Sequence, residues 1–217
     1  MPIHPSDANS SRRTSAPDFW ETRYTQHDAL FGRGPSAFVA RHAGWIPPNS
    51  DVVDLGAGEA RTLIWLARTF GHRPTAVDFS ETALATARHR AADQSIALET
   101  VTVDLRTWTP VRSWNAVLIS FLHLLPDERQ HLYGIARQML RPGGVILAEW
   151  FAPTHLDGSH ARIGPSQPDR MVAPAELKDA FAAYTLVTCA SESVHLLESD
   201  VLHGRAGVTR LIAQAAA

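Results

Sequence analysis

Val52-Val53-Asp54-Leu55-Gly56-Ala57-Gly58-Glu59-Ala60-Arg61 decides the fold of this chain. An apolar strand runs into a glycine turn, and the turn opens a helix whose apolar residues Leu63, Leu66, Ala67 and Phe70 recur at helical spacing. Twenty residues after Gly58, a second apolar segment, Thr75-Ala76-Val77, ends in Asp78. A strand, a glycine turn, a helix and a second strand closing on a carboxylate describe a βαβ unit. Such a unit holds a nucleotide-like ligand across the carboxyl ends of its strands, with the carboxylate on the ribose hydroxyls.

The alternation continues outward from this unit. Ser80 is placed to cap a helix running to about Ala92, with Leu84, Ala87 and Ala91 inward. Ile96–Val103 reads as strand three, ending at Asp104. Ala116-Val117-Leu118-Ile119-Ser120 is an unbroken apolar run, the pattern of a central parallel strand buried on both faces. Asp127 is placed to cap the helix that carries Leu132, Ile135, Ala136, Met139 and Leu140. Arg141-Pro142-Gly143-Gly144 stops that helix, and Val145–Trp150 reads as strand five. A loop rich in Pro, Gly and His then leads to a short helix over about Pro174–Ala183. Leu186–Glu192, Val194–Leu197 and Gly207–Ala213 read as two or three strands with no helix between them, which suits an antiparallel hairpin at the sheet edge. The expected fold is therefore α/β: a Rossmann-like, doubly wound sheet of about seven strands, mostly parallel, with an antiparallel C-terminal strand.

Ahead of strand one, residues 1–17 are rich in Ser, Asn, Pro and Arg and read as a disordered tail. The rest, 18–217, reads as one domain. Its first segment, 18–46, gathers Phe19, Trp20, Tyr24, Phe31, Phe38 and Trp45 around a Gly32-Arg33-Gly34-Pro35 turn. That segment reads either as a helix packed on the sheet or as a lid over a ligand.

The 217 residues suffice for one domain with a full core. A net charge of -2 gives the chain as a whole no pull toward nucleic acid, and the Arg excess is read as composition. Cys189 stands alone, so no cysteine zinc site or intrachain disulfide framework is available. No run reaches the roughly 18 apolar residues of a membrane helix. The expectation is a soluble, cytoplasmic protein acting on a small molecule.

The glycine turn also narrows the ligand. A dinucleotide site needs G-x-G-x-x-G so that pyrophosphate can rest on the helix N-terminus. Here Arg61 takes the third glycine position, and Glu59 would set a negative charge beside the phosphates. Asp54 adds a second carboxylate, so the turn suits a cationic, phosphate-free ligand.

On these residues the chain resembles the class I S-adenosylmethionine (SAM)-dependent methyltransferases. The resemblance implies that Asp54, Gly56 and Gly58 hold the methionine part of SAM and that Asp78, with Phe79 next to it, takes the ribose. It implies that Asp104 and Leu105 meet the adenine, and that Leu140-Arg141-Pro142-Gly143-Gly144 is the turn before strand five. Ser120, at the end of strand four, completes the cofactor set. A narrower resemblance, to the TehB-like and thiopurine-type small-molecule methyltransferases, rests on Trp20-Glu21-x-Arg23-Tyr24, Phe31-Gly32-x-x-Pro35 and Gly58-Glu59-x-Arg61. His195 and His203-x-Arg205 accompany it. Ala60 departs from that pattern, where a glycine is usual, and is expected to add a methyl near the ligand.

The expected reaction is an in-line methyl transfer to a small thiol, chalcogen or other nucleophile. The catalytic candidates are His123, as base or orienting group, and Arg61, as anchor for an anionic acceptor or partner of Glu59 or Asp54. Glu149 is expected as a pocket-wall carboxylate. Trp108 and Trp114 are expected to pack around the adenine edge. His195, His203 and Arg205 are read as a solvated hairpin or, less simply, as pocket lining. No metal is expected, the spacing of His155, Asp157 and His160 being too loose. An NAD(P)-dependent oxidoreductase and a non-catalytic SAM-binding protein are the alternatives. A nucleic-acid methyltransferase is disfavoured, because Ser120-Phe121-Leu122-His123 stands where an Asn/Asp-Pro-Pro-Tyr/Phe run belongs.

Overall fold

The computed structural model describes residues 17–217. The expected disorder of the N-terminal tail concerns residues that lie, up to 16, outside the described residues. Pro17 itself begins a helix, α1 (Pro17–Gln26).

The described chain then runs α2 (Ala37–His42), β1 (Asp51–Leu55), α3 (Arg61–Phe70), β2 (Arg73–Asp78), α4 (Glu81–Ala92), β3 (Glu99–Thr102) and β4 (Trp114–Ser120). It continues through α5 (Pro126–Gln138), β5 (Leu140–Phe151), α6 (Pro174–Ala180), β6 (Thr185–Ser199) and β7 (Leu202–Gln214). The seven strands form one sheet in the order β3-β2-β1-β4-β5-β7-β6. β1 to β5 pair in parallel, while β7 is antiparallel to both β5 and β6. The chain reverses direction across the sheet between β1 and β4, and open α/β sheets bind ligands outside the strand ends at that point.

Apolar side chains cover both faces of the sheet. One cluster packs Val53, Leu55, Val117, Ile119 and Trp150 against Leu132, Tyr133 and Phe181. The opposite cluster packs Val52, Leu118 and Leu147 against Leu63, Leu66, Leu84 and Phe38. Period-2 alternation is invisible in these strands because neither face is solvated. Ser80 caps α4 as expected, its side chain accepting from the Ala83 N–H at 3.1 Å.

Several boundaries differ from expectation. β3 starts at Glu99 and not at Ile96, because the end of α4 consumes the intervening residues. Ser95 is left-handed (φ 55°) and the Ile96 N–H donates to the Ala91 carbonyl at 2.9 Å. α3 starts at Arg61, since Ala60 is also left-handed (φ 54°). Phe70, placed inward by periodicity, is 38% exposed. α5 starts at Pro126, so Asp127 lies in its first turn. Glu128 makes the closing contact there, accepting from the Leu125 N–H at 2.7 Å. The Arg141–Gly144 turn is absorbed into β5 as a bulge: Trp114 pairs with Leu140, but Ala116 pairs with Val145. The last segments are two long strands, not three short ones.

Candidate active site

The glycine turn is built by backbone hydrogen bonds. The N–H groups of Gly56 and Ala57 both donate to the Val77 carbonyl, at 2.8 and 3.1 Å, tying the end of β1 to the end of β2. Gly56 and Gly58 take φ of 78° and 52°, which glycine adopts without a Cβ penalty. A Cβ on Gly58 would lie 2.5 Å from the Tyr24 hydroxyl, so the turn also makes room for α1. Ala60 shares the left-handed conformation but is fully buried, with its methyl in the apolar cluster between α3 and the sheet. The methyl therefore enters the core rather than approaching the ligand, contrary to expectation.

At this turn lies a cavity that brings together the cofactor and catalytic candidates drawn from the sequence. Asp54, Gly56, Gly58, Arg61, Asp78, Phe79, Asp104, Leu105, Ser120 and His123 all line it. Parallel pairing explains the convergence: adjacent strands end at the same height, so residues distant in sequence meet there. Trp20, Tyr24, Phe31, Phe121, Leu122 and Leu202 supply the apolar walls.

Asp78 is held from two sides. Its Oδ2 accepts from the Gly58 N–H at 2.8 Å and its Oδ1 from the Ser80 N–H at 2.9 Å. Burial pushes its carboxyl above the usual range, against the pull of these N–H donors. Asp54 differs. It is buried, its Oδ1 has no hydrogen-bond partner, and desolvation raises its carboxyl to about 7. A buried acceptor without a donor costs free energy until a ligand supplies one. Asp104 is gripped by Arg106, whose Nε lies 2.9 and 3.0 Å from the two carboxylate oxygens and whose Nη2 lies 2.6 Å from Oδ2. This contact holds the carboxyl below its usual range.

Arg61 reaches neither Glu59 nor Asp54. It makes a short ion pair with Glu198, near the end of β6, and its Nη1 donates to the Gly34 carbonyl at 2.7 Å. Glu59 instead pairs with Arg90 at 3.0 Å and accepts from the Ala29 N–H at 3.2 Å. Glu198 also accepts from the Ala37 N–H at 3.1 Å. A Cβ on Gly32 would fall 2.1 Å from the Glu198 carbonyl oxygen, so the Gly32–Gly34 turn rests directly on the end of the hairpin. These contacts seat the N-terminal segment against the hairpin, and its Trp20, Tyr24 and Phe31 line the cavity. The rings of Trp20 and Phe31 lie 5.9 Å apart, and those of Tyr24 and Phe31 6.4 Å apart.

At the far end of β4 the chain turns sharply. Phe121 is left-handed (φ 51°), and its N–H donates to the Glu149 carbonyl at 2.8 Å. Strained backbone of this kind persists only where surrounding structure enforces it. Here it directs Phe121, Leu122 and His123 into the cavity wall. His123 packs on Phe151 at 5.5 Å, and its Nδ1 is buried without a hydrogen-bond partner. Desolvation, with Arg170 nearby, lowers its pKa to about 3, so the ring is neutral.

Other residues lie elsewhere. Glu149 does not line the cavity. It is buried behind α2, where Arg210 Nε donates to it at 2.9 Å and the Ser36 hydroxyl at 3.3 Å. Trp114 is core rather than adenine edge, its indole N–H donating to Thr75 Oγ1 at 3.1 Å; Trp108 also packs on the core. His195, His203 and Arg205 are exposed on the hairpin. Both ring nitrogens of His155 bond backbone, Nε2 to the Ile163 carbonyl at 2.8 Å and Nδ1 to the Gly207 N–H at 3.3 Å. Sequence reasoning missed Glu198, Leu202 and Arg106. Glu198 and Arg61 are 137 positions apart, and no local pattern marks such a pair.

The donor set fits SAM. The unpartnered Asp54 oxygen suits a cationic group, and Asp78, held by the Gly58 and Ser80 N–H groups, lines the same cavity with a carboxylate that suits hydroxyls. Comparison with known proteins agrees. No curated protein sequence matches the chain significantly. Residues 52–144 match the sequence model of a methyltransferase-domain family. Among solved structures, TehB from Haemophilus influenzae is similar at 17% identity and TM-score 0.71, over 92% of this chain and 66% of that one. The glycopeptide N-methyltransferase MtfA, solved with SAM, is similar at 19% identity and TM-score 0.60, over 84% and 95%. A SAM-dependent methyltransferase from Methanosarcina mazei is similar at 14% identity and TM-score 0.64, over 81% and 97%. At these identities the likeness shows the fold, while the domain match covers β1 to the bulge of β5 and with it most of the cavity's donor set. Residues 52–144 thus carry a methyltransferase domain, and the chain as a whole has the fold of the SAM-dependent methyltransferases.

Proposed function

We propose that the protein transfers the SAM methyl group to a small-molecule acceptor held between the glycine turn and the aromatic side chains of the N-terminal segment. One observation supports the size limit: Trp20, Tyr24, Phe31 and Leu202 line the cavity together with the glycine turn, and Tyr24 lies directly against Gly58. SAM supplies a methyl carbon on a positively charged sulfur, an electrophile that needs no further activation.

The chain's own residues divide the work. Asp54 answers the cationic part of SAM, Gly56 and Gly58 admit it, and Asp78 with Phe79 takes the ribose. Asp104 and Leu105, with Arg106, border the adenine, and Ser120 closes the floor. His123 accepts a hydrogen bond from the acceptor and orients its lone pair; a ring with a pKa of about 3 is too weak a base to store the proton. Arg61 acts as a positioning residue that pins the hairpin, because Glu198 and the Gly34 carbonyl already occupy its guanidinium. The apolar walls exclude water, and alignment of the acceptor supplies most of the rate. Two arginines tied to carboxylates leave the cavity without the phosphate contacts a nucleic acid would use.

The test is transfer of a tritiated methyl group from SAM across a panel of small thiols, chalcogen oxyanions, amines and phenols, beside calorimetry with S-adenosylhomocysteine. Methylation of at least one compound and micromolar binding are expected. Binding of NADH with no binding of S-adenosylhomocysteine would favour an oxidoreductase. Unchanged SAM binding in Asp78→Ala would remove the ribose assignment.

A further inference from the structure

The charges around the cavity, taken one by one, restrict the acceptor further. The lining holds two arginines among the described residues, and each is matched to a carboxylate. Arg61 is paired with Glu198, and Arg106 forks onto Asp104. Arg23, on α1, lies 5.6 and 5.8 Å over the Phe19 and Trp20 rings, with its Nε buried, and does not line the cavity. Against these, Asp54, Glu59 and Asp78 face the cavity; Glu59 is paired with Arg90, while the Asp54 Oδ1 has no hydrogen-bond partner. The acceptor end is walled by the aromatic side chains of Trp20, Tyr24, Phe31 and Phe121. Aromatic faces and carboxylates attract cations and repel anions.

Resting on the methyl-transfer reading above, we infer that the acceptor is a weakly basic amine, uncharged at neutral pH, on an aromatic or apolar body. The amine lone pair forms the nitrogen–carbon bond while the sulfur–carbon bond of SAM breaks, its electron pair passing to sulfur. The nitrogen becomes a methylammonium and then gives its proton to water. One positive charge enters the cavity on sulfur and remains there on nitrogen, so carboxylates and rings that hold the first also hold the second. An anionic acceptor, such as a thiolate or a chalcogen oxyanion, would need a cation that the lining does not offer, since both arginines are already engaged. The unpartnered His123 ring supports the same reading: it is neutral, and a neutral imidazole receives an N–H without taking its proton.

The test uses a matched pair of probes on the complex with S-adenosylhomocysteine. Phenyltrimethylammonium presents the charge of the methylated product, and benzenesulfonate presents an anion on the same ring. Calorimetry is expected to show at least tenfold tighter binding of the ammonium. Glu198→Gln keeps the bond to the Ala37 N–H but releases the charge of Arg61, and is expected to shrink that preference several-fold. Sulfonate binding as tight as that of the ammonium, no measurable ammonium binding, or an unchanged preference in Glu198→Gln would each overturn the inference. Failure of S-adenosylhomocysteine itself to bind would sink the methyl-transfer reading, and this inference with it.

Discussion

At the scale of single residues, Asp54 and Ala60 carry the most consequence. Burial raises the Asp54 carboxyl from its ordinary 3.8 to about 7, so the protein without ligand holds a proton there that the unfolded chain has already released. The sign follows: this group costs stability increasingly from about pH 4 to about pH 7, and by a constant amount above that. A cationic ligand reverses the balance by favouring the carboxylate. SAM binding is therefore expected to weaken as pH falls below about 7 and to release close to one proton at pH 6. Calorimetry in buffers of different ionisation enthalpy measures that proton. Asp54→Asn should bind SAM at least tenfold more weakly and lose the pH dependence; retention of both would leave Asp54 without this role. Ala60 presents a different constraint. It is left-handed at φ 54° with no exposed surface, and a β-branched side chain tolerates neither. Ala60→Val is expected to lower stability by about 2 kcal/mol in chemical denaturation. The departure from glycine was legible in the sequence, but the direction of its methyl was not.

At the scale of elements, the short helix α2 shows how the N-terminal segment is attached. Ser36 caps it, accepting from the Val39 N–H at 3.3 Å, while its own N–H donates to Thr62 Oγ1 at 3.0 Å and its hydroxyl to Glu149. One buried serine thus joins α2 to α3 and β5. Ser36→Ala removes the cap and leaves a Glu149 oxygen short of a donor, at an expected cost of about 1–3 kcal/mol. The denaturation midpoint should fall with an unchanged slope; a loss below 0.5 kcal/mol would show that the junction is not structural. Trp20→Ala acts on the other side of this segment. It is expected to weaken acceptor binding with little change in stability, read as a rise in KM larger than the fall in kcat. The helices and parallel strands were legible because each carries an apolar period or run. β3, the β5 bulge and the length of the final hairpin were not. Their limits are set by where α4 unwinds and by pairing with β7, neither of which leaves a local pattern.

At the scale of the whole molecule, binding should tighten the rim of the sheet and leave its centre alone. Among the described residues, no helix is long and apolar enough to cross a membrane. The cavity joins the strand ends, the N-terminal segment and the end of the β6–β7 hairpin, while β1, β4 and β5 are buried on both faces. On addition of S-adenosylhomocysteine, hydrogen exchange is expected to slow in residues 19–37, 56–62, 78–80, 120–124 and 198–202, with the central strands unchanged. Slowing confined to the glycine turn would show that the N-terminal segment does not respond to the ligand. By itself the sequence determined the parallel sheet and the residues that line the glycine-turn side of the cavity, because strand, turn and carboxylate follow one another within one βαβ unit. Only the tertiary structure decided the acceptor side. Arg61 meets Glu198, Leu202 meets Phe121, and the neutral His123 stands without a partner because the sheet order and the folded-over hairpin bring distant segments together. No spacing along the chain encodes such a meeting.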